Sequence, residues 1–584
     1  MKMVNPEWTL LPEKGADLPV DFKDPGKFQI AGLFRQTWVV DGVSRSVLTY
    51  AAEGLHYNCP CLIIAPPSHL EIIEFLQTGE FIKLAERNQI LLVILETLNG
   101  AWDFSGKDAD FMNSVYKNVQ AREYYVVMQD CIYAAGFGDG ASIAQQAVMK
   151  MTSEWSGLVT YGNFNDYVML NAGNVSDSEA GSQEEELFIS SKKCQLPVWM
   201  LFEHEGKIEK QVISYWKQEN KSQAEPLYDK TGTEIFLPQN IKKTSKINDD
   251  LIAQTRITRN QRIDFWNIEK LEYVWQYIGA ARRHRGYGNK LLRYYRNPMQ
   301  NGATYHTIEV DGITREWYEY VPDAVASGND EVPLVVAFHG RGGNGETFFD
   351  ITDMSTVAEE RNFIAVFPTA DFYQIRQDGL RSVRVWNGNY EGKQIDSEKF
   401  VRTMIEDIKG RHRVDNTRIF ACGQSSGGYM ASYCALAASD LFTAVSPWSG
   451  FSLPGGKGPF SYHKKHYFQD GHVPFCMLIG SEDNLFDTSV IWPFPETDTE
   501  VTSFLKFLIE EYNLSKDPGV YNCNPITYYV WENAKGTPMV KIGIVDHMPH
   551  ANYAEESRIA YDEFFSKFSR NEQGELLYMG RIAE

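Results

Sequence analysis

The chain contains 584 residues, of which 43% are hydrophobic and 23% are charged, and its formal net charge at pH 7 is −21. A chain of this length is too long for one hydrophobic core, so two or more domains are expected. The negative charge argues against nucleic acid and anionic membranes as partners, because both are polyanions. No run of about 18 apolar residues occurs, and residues 1–8 lack the apolar segment of a signal peptide. We therefore expect a soluble, cytoplasmic protein that binds neither nucleic acid nor membrane.

The eight cysteines are scattered along the chain, and none of them forms a C-x-x-C pair. Cys59 and Cys61 are separated by one residue, but no second pair accompanies them. Zinc sites need two such halves or added histidines at fixed spacing. The sequence therefore predicts free thiols, no metal site and no cofactor.

In chain order, residues 1–28 are polar and contain prolines, which indicates an extension ahead of the first domain. The sequence VDGVSR at 40–45 then recurs 270 residues later as VDGITR at 310–315. Similarity at this distance is typical of a duplicated domain. We predict two copies of one α/β domain, residues 29–295 and 300–584, each a mostly parallel sheet covered by helices on both faces.

Within the first copy, residues 225–262 are polar with dispersed charges, so we predict a surface insertion there. The second copy has clearer elements, because short β-branched runs alternate with helical patterns. We predict strands at 334–338, 363–367, 418–422, 443–447, 475–479 and 540–545. We predict helices near 397–411, 426–438, 500–512 and 554–568.

Residues 423–427 read Gly-Gln-Ser-Ser-Gly, a G-x-S-x-G motif between a predicted strand and a predicted helix. In that context the motif is a tight turn that exposes the serine hydroxyl. We predict Ser425 as a nucleophile. The N–H of Ser426, at the start of the helix, is a predicted donor to an oxyanion.

A serine nucleophile needs a histidine base, and the histidine needs an acid that orients it. In the α/β-hydrolase fold these follow the serine in the order acid, then histidine. Asp483 comes directly after the predicted strand 475–479, with Glu482 as the alternative. His550 lies in the loop before the last helix, and His547 is the alternative base. We favour His550, because it lies deeper in the loop before the closing helix.

An oxyanion hole also needs a backbone N–H from the loop after an early strand. Residues 339–343 read His-Gly-Arg-Gly-Gly, which lets the backbone approach a substrate closely. We assign this donor to the Arg341 N–H, with Gly340 as the alternative, and give His339 a structural role. Trp386 and Trp448 are predicted to line a substrate pocket.

The first copy lacks these groups at the aligned positions. Gly138 stands in place of the nucleophile, Gly206 in place of the acid, and Pro67-Ser68 in place of the His-Gly pair. No histidine precedes the closing helix. We predict that this copy is catalytically dead and serves as a scaffold, for packing, cleft walls or homo-oligomerisation.

With its H-G-x-G-G loop, its G-Q-S-S-G-G elbow, the turn at 480–483 and the Pro549-His550 loop, the second copy resembles the poly(3-hydroxybutyrate) depolymerase-like esterases. These include feruloyl and acetyl xylan esterases of the carbohydrate esterase family 1 type. The resemblance implies an α/β-hydrolase fold and metal-free hydrolysis of feruloyl, acetyl or short hydroxyacyl esters through an acyl-enzyme. The alternatives are a serine peptidase of prolyl-oligopeptidase type, which would pair the hydrolase with a β-propeller, and a non-catalytic binding protein.

Overall fold

The computed structural model describes most of the chain from residue 7 to residue 584. The residues between these limits that it does not describe are 18–26, 29, 41, 57–58, 120–126, 128–129, 173–194, 240, 242–248, 261–266, 284–291, 377–379, 388, 391–392, 456–461 and 463. The described residues divide into two units, the first ending at Tyr295 and the second beginning at Arg296. In the described part of the chain, no helix is long and apolar enough to span a bilayer.

The described part of the first unit contains a main sheet of eleven strands, a two-stranded sheet formed by β12 and β13, and six α-helices. Its strands are β1 (Glu7–Asp17), β2 (Ile30–Val40), β3 (Val43–Ala51), β4 (Cys61–Ala65), β5 (Leu91–Leu95), β6 (Ile132–Phe137), β7 (Gly157–Tyr161), β8 (Val198–Leu201), β9 (Leu227–Tyr228), β10 (Glu234–Phe236), β11 (Thr255–Thr258), β12 (Ala281–Arg283) and β13 (Leu292–Tyr294). Its α-helices are α1 (Ile72–Thr78), α2 (Phe81–Asn88), α3 (Lys107–Asn118), α4 (Gly140–Lys150), α5 (Lys207–Glu219) and α6 (Ile268–Ile278).

The second unit repeats this plan. Its strands are β14 (Ala303–Val310), β15 (Ile313–Tyr320), β16 (Val332–Phe338), β17 (Ile364–Pro368), β18 (Phe372–Arg376), β19 (Leu380–Arg384), β20 (Asn389–Tyr390), β21 (Lys393–Gln394), β22 (Val414–Gln424), β23 (Ala444–Trp448), β24 (Phe475–Gly480), β25 (Gly519–Cys523), β26 (Ile526–Glu532), β27 (Pro538–Val545), β28 (Phe568–Arg570), β29 (Leu576–Tyr578) and β30 (Arg581–Ile582). Its α-helices are α7 (Asp323–Ala326), α8 (Gly345–Ile351), α9 (Met354–Arg361), α10 (Ser397–Arg411), α11 (Ser426–Ala437), α12 (Glu500–Glu511) and α13 (Glu556–Arg558).

The two main sheets have the same strand order. The second runs β14-β15-β17-β16-β22-β23-β24-β27-β26-β25, and the first runs β2-β3-β5-β4-β6-β7-β8-β11-β10-β9 with β1 added beside β2. In each sheet the six strands in the middle pair in parallel, and antiparallel strands flank them. This confirms the predicted α/β class, and it gives the first unit an α/β sheet rather than a propeller.

Burial explains why the central strands read as unbroken apolar runs. Every residue of β4, β5, β16 and β17 is buried, as expected for parallel strands covered on both faces. The edge strand β25 is exposed at all five residues, and its sequence gave no strand signal. Six of the seven cysteines in the described residues are buried, and all seven are free thiols.

Two regions differ from the predictions. Residues 225–262 include β11, which pairs in parallel with β8, so the prediction of a surface insertion is wrong for that part. The four-residue run Thr-Arg-Ile-Thr is too short and too polar to stand out, although both threonines are buried. The predicted extension contributes β1, which pairs antiparallel with β2. Residues 240, 242–248 and 261–262 of the predicted insertion lie outside the described residues.

Candidate active site

Ser425 lies at the bend between β22 and α11. Its backbone has φ 54° and ψ −117°, a conformation that side-chain-bearing residues rarely adopt. Strain of this kind costs on the order of 1–3 kcal/mol and is found mainly at functional sites. The Ser425 N–H donates to the Trp448 carbonyl at 2.9 Å, which fixes the bend against the end of the neighbouring strand β23.

Glycines allow the elements around the bend to approach closely. A Cβ at Gly427 would lie 1.9 Å from the Phe338 carbonyl oxygen, and one at Gly450 would lie 2.2 Å from the Ser425 carbonyl oxygen. Larger residues would therefore push the helix and the following loop away from the serine. This is the physical requirement behind the last glycine of the G-x-S-x-G motif.

His550 is the histidine that meets the serine. Its Nε2 lies 2.9 Å from the Ser425 Oγ, and its side chain is 20% exposed. At this distance a neutral imidazole accepts the hydroxyl hydrogen bond directly. The structure therefore brings together the predicted nucleophile and the predicted base.

Asp483 completes the chain of hydrogen bonds on the other side of the imidazole. Its Oδ2 and Oδ1 lie 2.9 and 3.1 Å from the His550 Nδ1. The Asp483 side chain has no exposed surface, and its Oδ1 also accepts the Leu485 N–H at 2.9 Å. With the carboxylate held in this way, His550 carries its proton on Nδ1 and leaves Nε2 as the acceptor.

The two alternative residues pair with each other instead. His547 Nδ1 lies 2.8 Å from Glu482 Oε1, and the side chains are 35% and 61% exposed. The His547 N–H donates to the Ser481 hydroxyl at 2.7 Å. This second histidine–carboxylate pair lies at the surface. Because its residues are close in sequence to His550 and Asp483, it provides a matched control for mutagenesis.

The two segments that carry the predicted oxyanion donors both adjoin the serine. Ser426 is the first residue of α11, where backbone N–H groups have no partner inside the helix. The glycine loop also approaches the serine closely, since a Cβ at Gly340 would lie 3.6 Å from the Ser425 Cβ. After Arg341, the Gly342 N–H donates to the Arg384 carbonyl and the Gly343 N–H donates to the Gly340 carbonyl.

His339 has a structural place, as its position before the nucleophile suggested. It is 1% exposed, its Nδ1–H donates to the Gly340 carbonyl, and its Nε2 accepts the Ala370 N–H at 2.9 Å. Burial lowers the pKa of His339 to about 3. The imidazole is therefore neutral and shapes the glycine loop.

Trp386 and Trp448 do not line an open pocket, which corrects the prediction of substrate-contacting indoles. Their side chains are buried, with 3% and 1% of each residue exposed. The Trp386 indole N–H donates to the His339 carbonyl at 2.9 Å, and the Trp448 indole N–H donates to Ser446 Oγ at 2.9 Å. Both rings support the loop and the strand beneath the serine.

The residues after the acid were missed at the sequence level. The Phe486 ring centroid lies 6.5 Å from that of His550, and Leu485 supplies the N–H that orients Asp483. The available signal was the acidic turn itself, because an aspartate commonly accepts the N–H two residues further on.

The first unit has the same bend with a glycine in it. The Gly138 N–H donates to the Tyr161 carbonyl at 2.8 Å, as the Ser425 N–H does to Trp448. The Gly138 φ is 57°, within a few degrees of the Ser425 value. Gly138 is therefore the structural equivalent of the nucleophile.

Strand pairing corrects the predicted alignment of the glycine loop by one residue. The registers of β4 and β16 with their neighbours make Ala65 equivalent to Phe338. Pro67 is then equivalent to the glycine of the His-Gly pair, and Ser68 to Arg341. Indole hydrogen bonds agree with this register, since the Trp102 N–H donates to the Pro66 carbonyl at 3.0 Å just as Trp386 does to His339.

A carboxylate occupies the oxyanion position of the first unit. Asp139, which follows Gly138, accepts the Ser68 N–H on Oδ1 at 2.8 Å and the Ser68 hydroxyl on Oδ2. Ser68 is the equivalent of Arg341, and Asp139 is the equivalent of Ser426. This amide position therefore binds a negatively charged oxygen, although here the oxygen belongs to the protein.

The acid position of the first unit is also taken over by a structural group. Gly206 stands there, and its N–H donates to Glu209 Oε2 at 2.9 Å. Glu209 Oε1 accepts the Phe164 N–H at 3.0 Å, which ties the loops after β7 and β8 together. The Glu209 carboxylate thus joins two loops, and the residues that donate hydrogen bonds to it include Gly206, Phe164 and Asn163.

Comparison with known proteins confirms the predicted resemblance for the second unit. A family model described as Esterase PHB depolymerase matches residues 317–461, which include the glycine loop and Ser425 and end before Asp483. Feruloyl esterase B of Thermothelomyces thermophilus is 27% identical over 151 residues, covering 25% of this chain and 49% of the relative. Acetylxylan esterase A of Aspergillus awamori is 26% identical over 136 residues, covering 23% of this chain and 42% of the relative.

These relatives are esterases by name, and this chain spans about half or less of the length of each. Among solved structures, the acetyl xylan esterase from Aspergillus awamori aligns with 45% of this chain and 99% of its own length. The TM-score is 0.33 and the sequence identity 15%.

Proposed function

We propose that the second unit is a serine carboxylesterase that works through an acyl-enzyme. The observation that carries this proposal is the unbroken contact from Asp483 through His550 to Ser425, with both heavy-atom steps at 2.9 Å. The esterase relatives support the reaction class.

The geometry suggests the order of events. His550 Nε2 takes the proton of the Ser425 hydroxyl while the oxygen attacks the ester carbonyl, and Asp483 stabilises the imidazolium that forms. The N–H groups of Ser426 and Arg341 hold the oxyanion, which contributes several kcal/mol to lowering the barrier. His550 then protonates the leaving alcohol. A water molecule, deprotonated by the same nitrogen, finally releases the acid and restores Ser425.

The Arg341 donor is supported by the first unit. There the equivalent amide, that of Ser68, holds a carboxylate oxygen of Asp139 at 2.8 Å. A carboxylate oxygen is a reasonable mimic of an oxyanion in charge and in hydrogen-bond geometry. The same loop position in the second unit is therefore suited to the oxygen of a tetrahedral intermediate.

For the substrate we propose a feruloyl, acetyl or short hydroxyacyl ester. The relatives' names support feruloyl and acetyl groups. Tyr429 is partly exposed and has its ring centroid 6.5 Å from that of the buried Phe486, which lies beside His550, so the Tyr429 ring offers an aromatic surface for the acyl group. The first unit, which has neither nucleophile nor base, takes no part in the chemistry in this proposal.

The test compares turnover of p-nitrophenyl acetate, p-nitrophenyl butyrate and methyl ferulate by the wild type and three variants. We expect Ser425→Ala and His550→Ala each to lower kcat/KM by about 10⁴-fold or more, since triad members act as a unit. His547→Ala is the matched control, and we expect it to stay within about threefold of the wild type because a surface ion pair contributes little. Equal losses in the two histidine variants, or undiminished turnover by Ser425→Ala, would contradict the proposal.

A further inference from the structure

Glu556 is a buried carboxyl group for which the proposed chemistry has no role. It begins α13, six residues after His550, and only 2% of the residue is exposed. The helix α13 packs against α9. The Glu556 side chain thus lies at the end of the loop that carries the base.

Both carboxyl oxygens of Glu556 are bound by that loop. Asn552 donates its Nδ2–H to Oε1 at 2.6 Å, and the Tyr553 N–H donates to Oε2 at 2.9 Å. The Glu556 N–H in turn donates to the Tyr553 carbonyl at 3.1 Å. Asn552 and Tyr553 follow His550 by two and three residues, so these three bonds fix the end of the loop that carries the imidazole.

The surroundings of Glu556 do not stabilise its charge. Burial raises the pKa of Glu556 to about 8 against the hydrogen bonds from Asn552 and Tyr553, and Asp353 raises it further. Asp353, which lies before α9, pairs with Arg296 at 3.5 Å. The partners that Glu556 does have are the two donors of the loop, so its carboxyl group acts there as a double acceptor.

We propose that Glu556 is a positioning residue, which holds His550 at hydrogen-bonding distance from Ser425 by clamping the Asn552 side chain and the Tyr553 amide at the end of the loop. The inference rests on the proposed function, because it gives the clamp a purpose in ester hydrolysis. It also makes a claim about the loop that needs no substrate to test.

The chemistry of the clamp selects the variant. In Glu556→Gln the amide oxygen accepts one of the two hydrogen bonds, while its NH₂ group faces the other donor. We expect kcat to fall about tenfold while KM stays within about twofold, since a shift of the base by a fraction of an ångström weakens catalysis without touching the substrate. The double variant with Asn552→Ala should lose little more than Glu556→Gln alone, because both substitutions weaken the same pair of contacting groups.

Glu319→Gln is the matched control. Glu319 lies on β15 of the same unit, is 1% exposed, and pairs with Arg411 and His412. Kinetics on p-nitrophenyl acetate are paired with hydrogen–deuterium exchange of the peptide spanning residues 546–555. We expect faster exchange of this peptide and a lower kcat in Glu556→Gln, and neither change in Glu319→Gln.

Unchanged exchange of that peptide, or an unchanged kcat, in Glu556→Gln would overturn the positioning role. An equal loss of kcat in Glu319→Gln would overturn it as well, by showing a general effect of replacing a buried carboxyl group. Failure of the proposed function is read separately, from ester turnover that Ser425→Ala leaves intact. In that case faster exchange would leave Glu556 as a loop clamp and would overturn its assignment to the base.

Discussion

The two units share a strand order and a bend, and they differ in what stands at the bend. Ser425 and Gly138 have φ values of 54° and 57°, and each N–H bonds to the carbonyl of the neighbouring strand. Glycine adopts this conformation at little cost, whereas serine is strained there. The second unit has the strain at Ser425, whose hydroxyl meets His550, and the first unit has a glycine at the equivalent bend.

The position after the bend shows the same contrast. The second unit has Ser426 there, and the first has Asp139, whose carboxylate takes up the Ser68 amide. An anion built into this position excludes the oxyanion of a substrate by charge and by volume. The first unit therefore differs from the second both at the bend and at the residue that follows it.

Residues that serve the fold are shared by both units. Arg45 lies over the Phe111 ring at 3.9 Å, and the equivalent Arg315 lies over Phe400 at 4.0 Å. Arg45 also pairs with Asp108 at 2.7 Å within the buried part of its unit. Comparing the units thus separates what the sheet needs from what the proposed chemistry needs.

The largest effect is expected from the acid of the buried pair. Asp483→Asn should lower kcat by about 10⁴-fold, because an amide cannot hold His550 in the tautomer that leaves Nε2 free to accept. Glu482→Gln, at the adjacent carboxylate that pairs with His547, should change kcat by less than about threefold. Steady-state kinetics on one ester decide between the two, and a larger loss in Glu482→Gln would reverse our assignment of the acid.

A smaller effect is expected on stability as a function of pH. Because the pKa of Glu556 is raised from 4.5 to about 8, the folded state keeps a proton that the unfolded state releases between these values. This contribution to stability is complete below pH 4.5 and is lost as the pH rises through 8, by at most about 1.4 kcal/mol per pH unit. Urea unfolding at pH 5, 6.5 and 8 should show Glu556→Gln gaining on the wild type as the pH rises. Parallel curves for the two proteins would contradict the buried, protonated carboxyl.

No gain at all is expected from returning a hydroxyl to the first unit. Gly138→Ser in a Ser425→Ala background should give no ester turnover, because Asp139 fills the oxyanion position and Gly206 replaces the acid. Removing the carboxylate as well, with Asp139→Ser, should still give none. The assay is release of p-nitrophenol over hours, with the Ser425→Ala parent as the baseline, and any rescue would show that the first unit retains more of the site.

The sequence predicted the duplicated sheet and the serine because both depend on local patterns: apolar runs and a five-residue motif. It favoured His550 but kept His547 as the alternative base, because the two histidines are three residues apart in one loop. The backbone decides, since the His547 N–H bonds to Ser481 while its ring turns to Glu482. The one-residue error at Pro67-Ser68 has a similar origin, because register is set by pairing with β6, which is distant in sequence.

Other features could not be predicted because they depend on burial. Trp386 and Trp448 have the composition of a pocket wall, but packing beneath the glycine loop and strand β23 hides them. Thr255 and Thr258 read as polar, but both are buried in a parallel strand. Residue type alone does not tell which side of a sheet a ring or hydroxyl will face.

The most direct test is covalent labelling of the wild type with a fluorophosphonate, which phosphonylates activated serine hydroxyls, followed by intact mass and peptide mapping. We predict one adduct per chain, located on Ser425, and a labelling rate that drops by orders of magnitude in His550→Ala but not in His547→Ala. An adduct on a serine of the first unit, or rapid labelling of Ser425 without His550, would contradict the account.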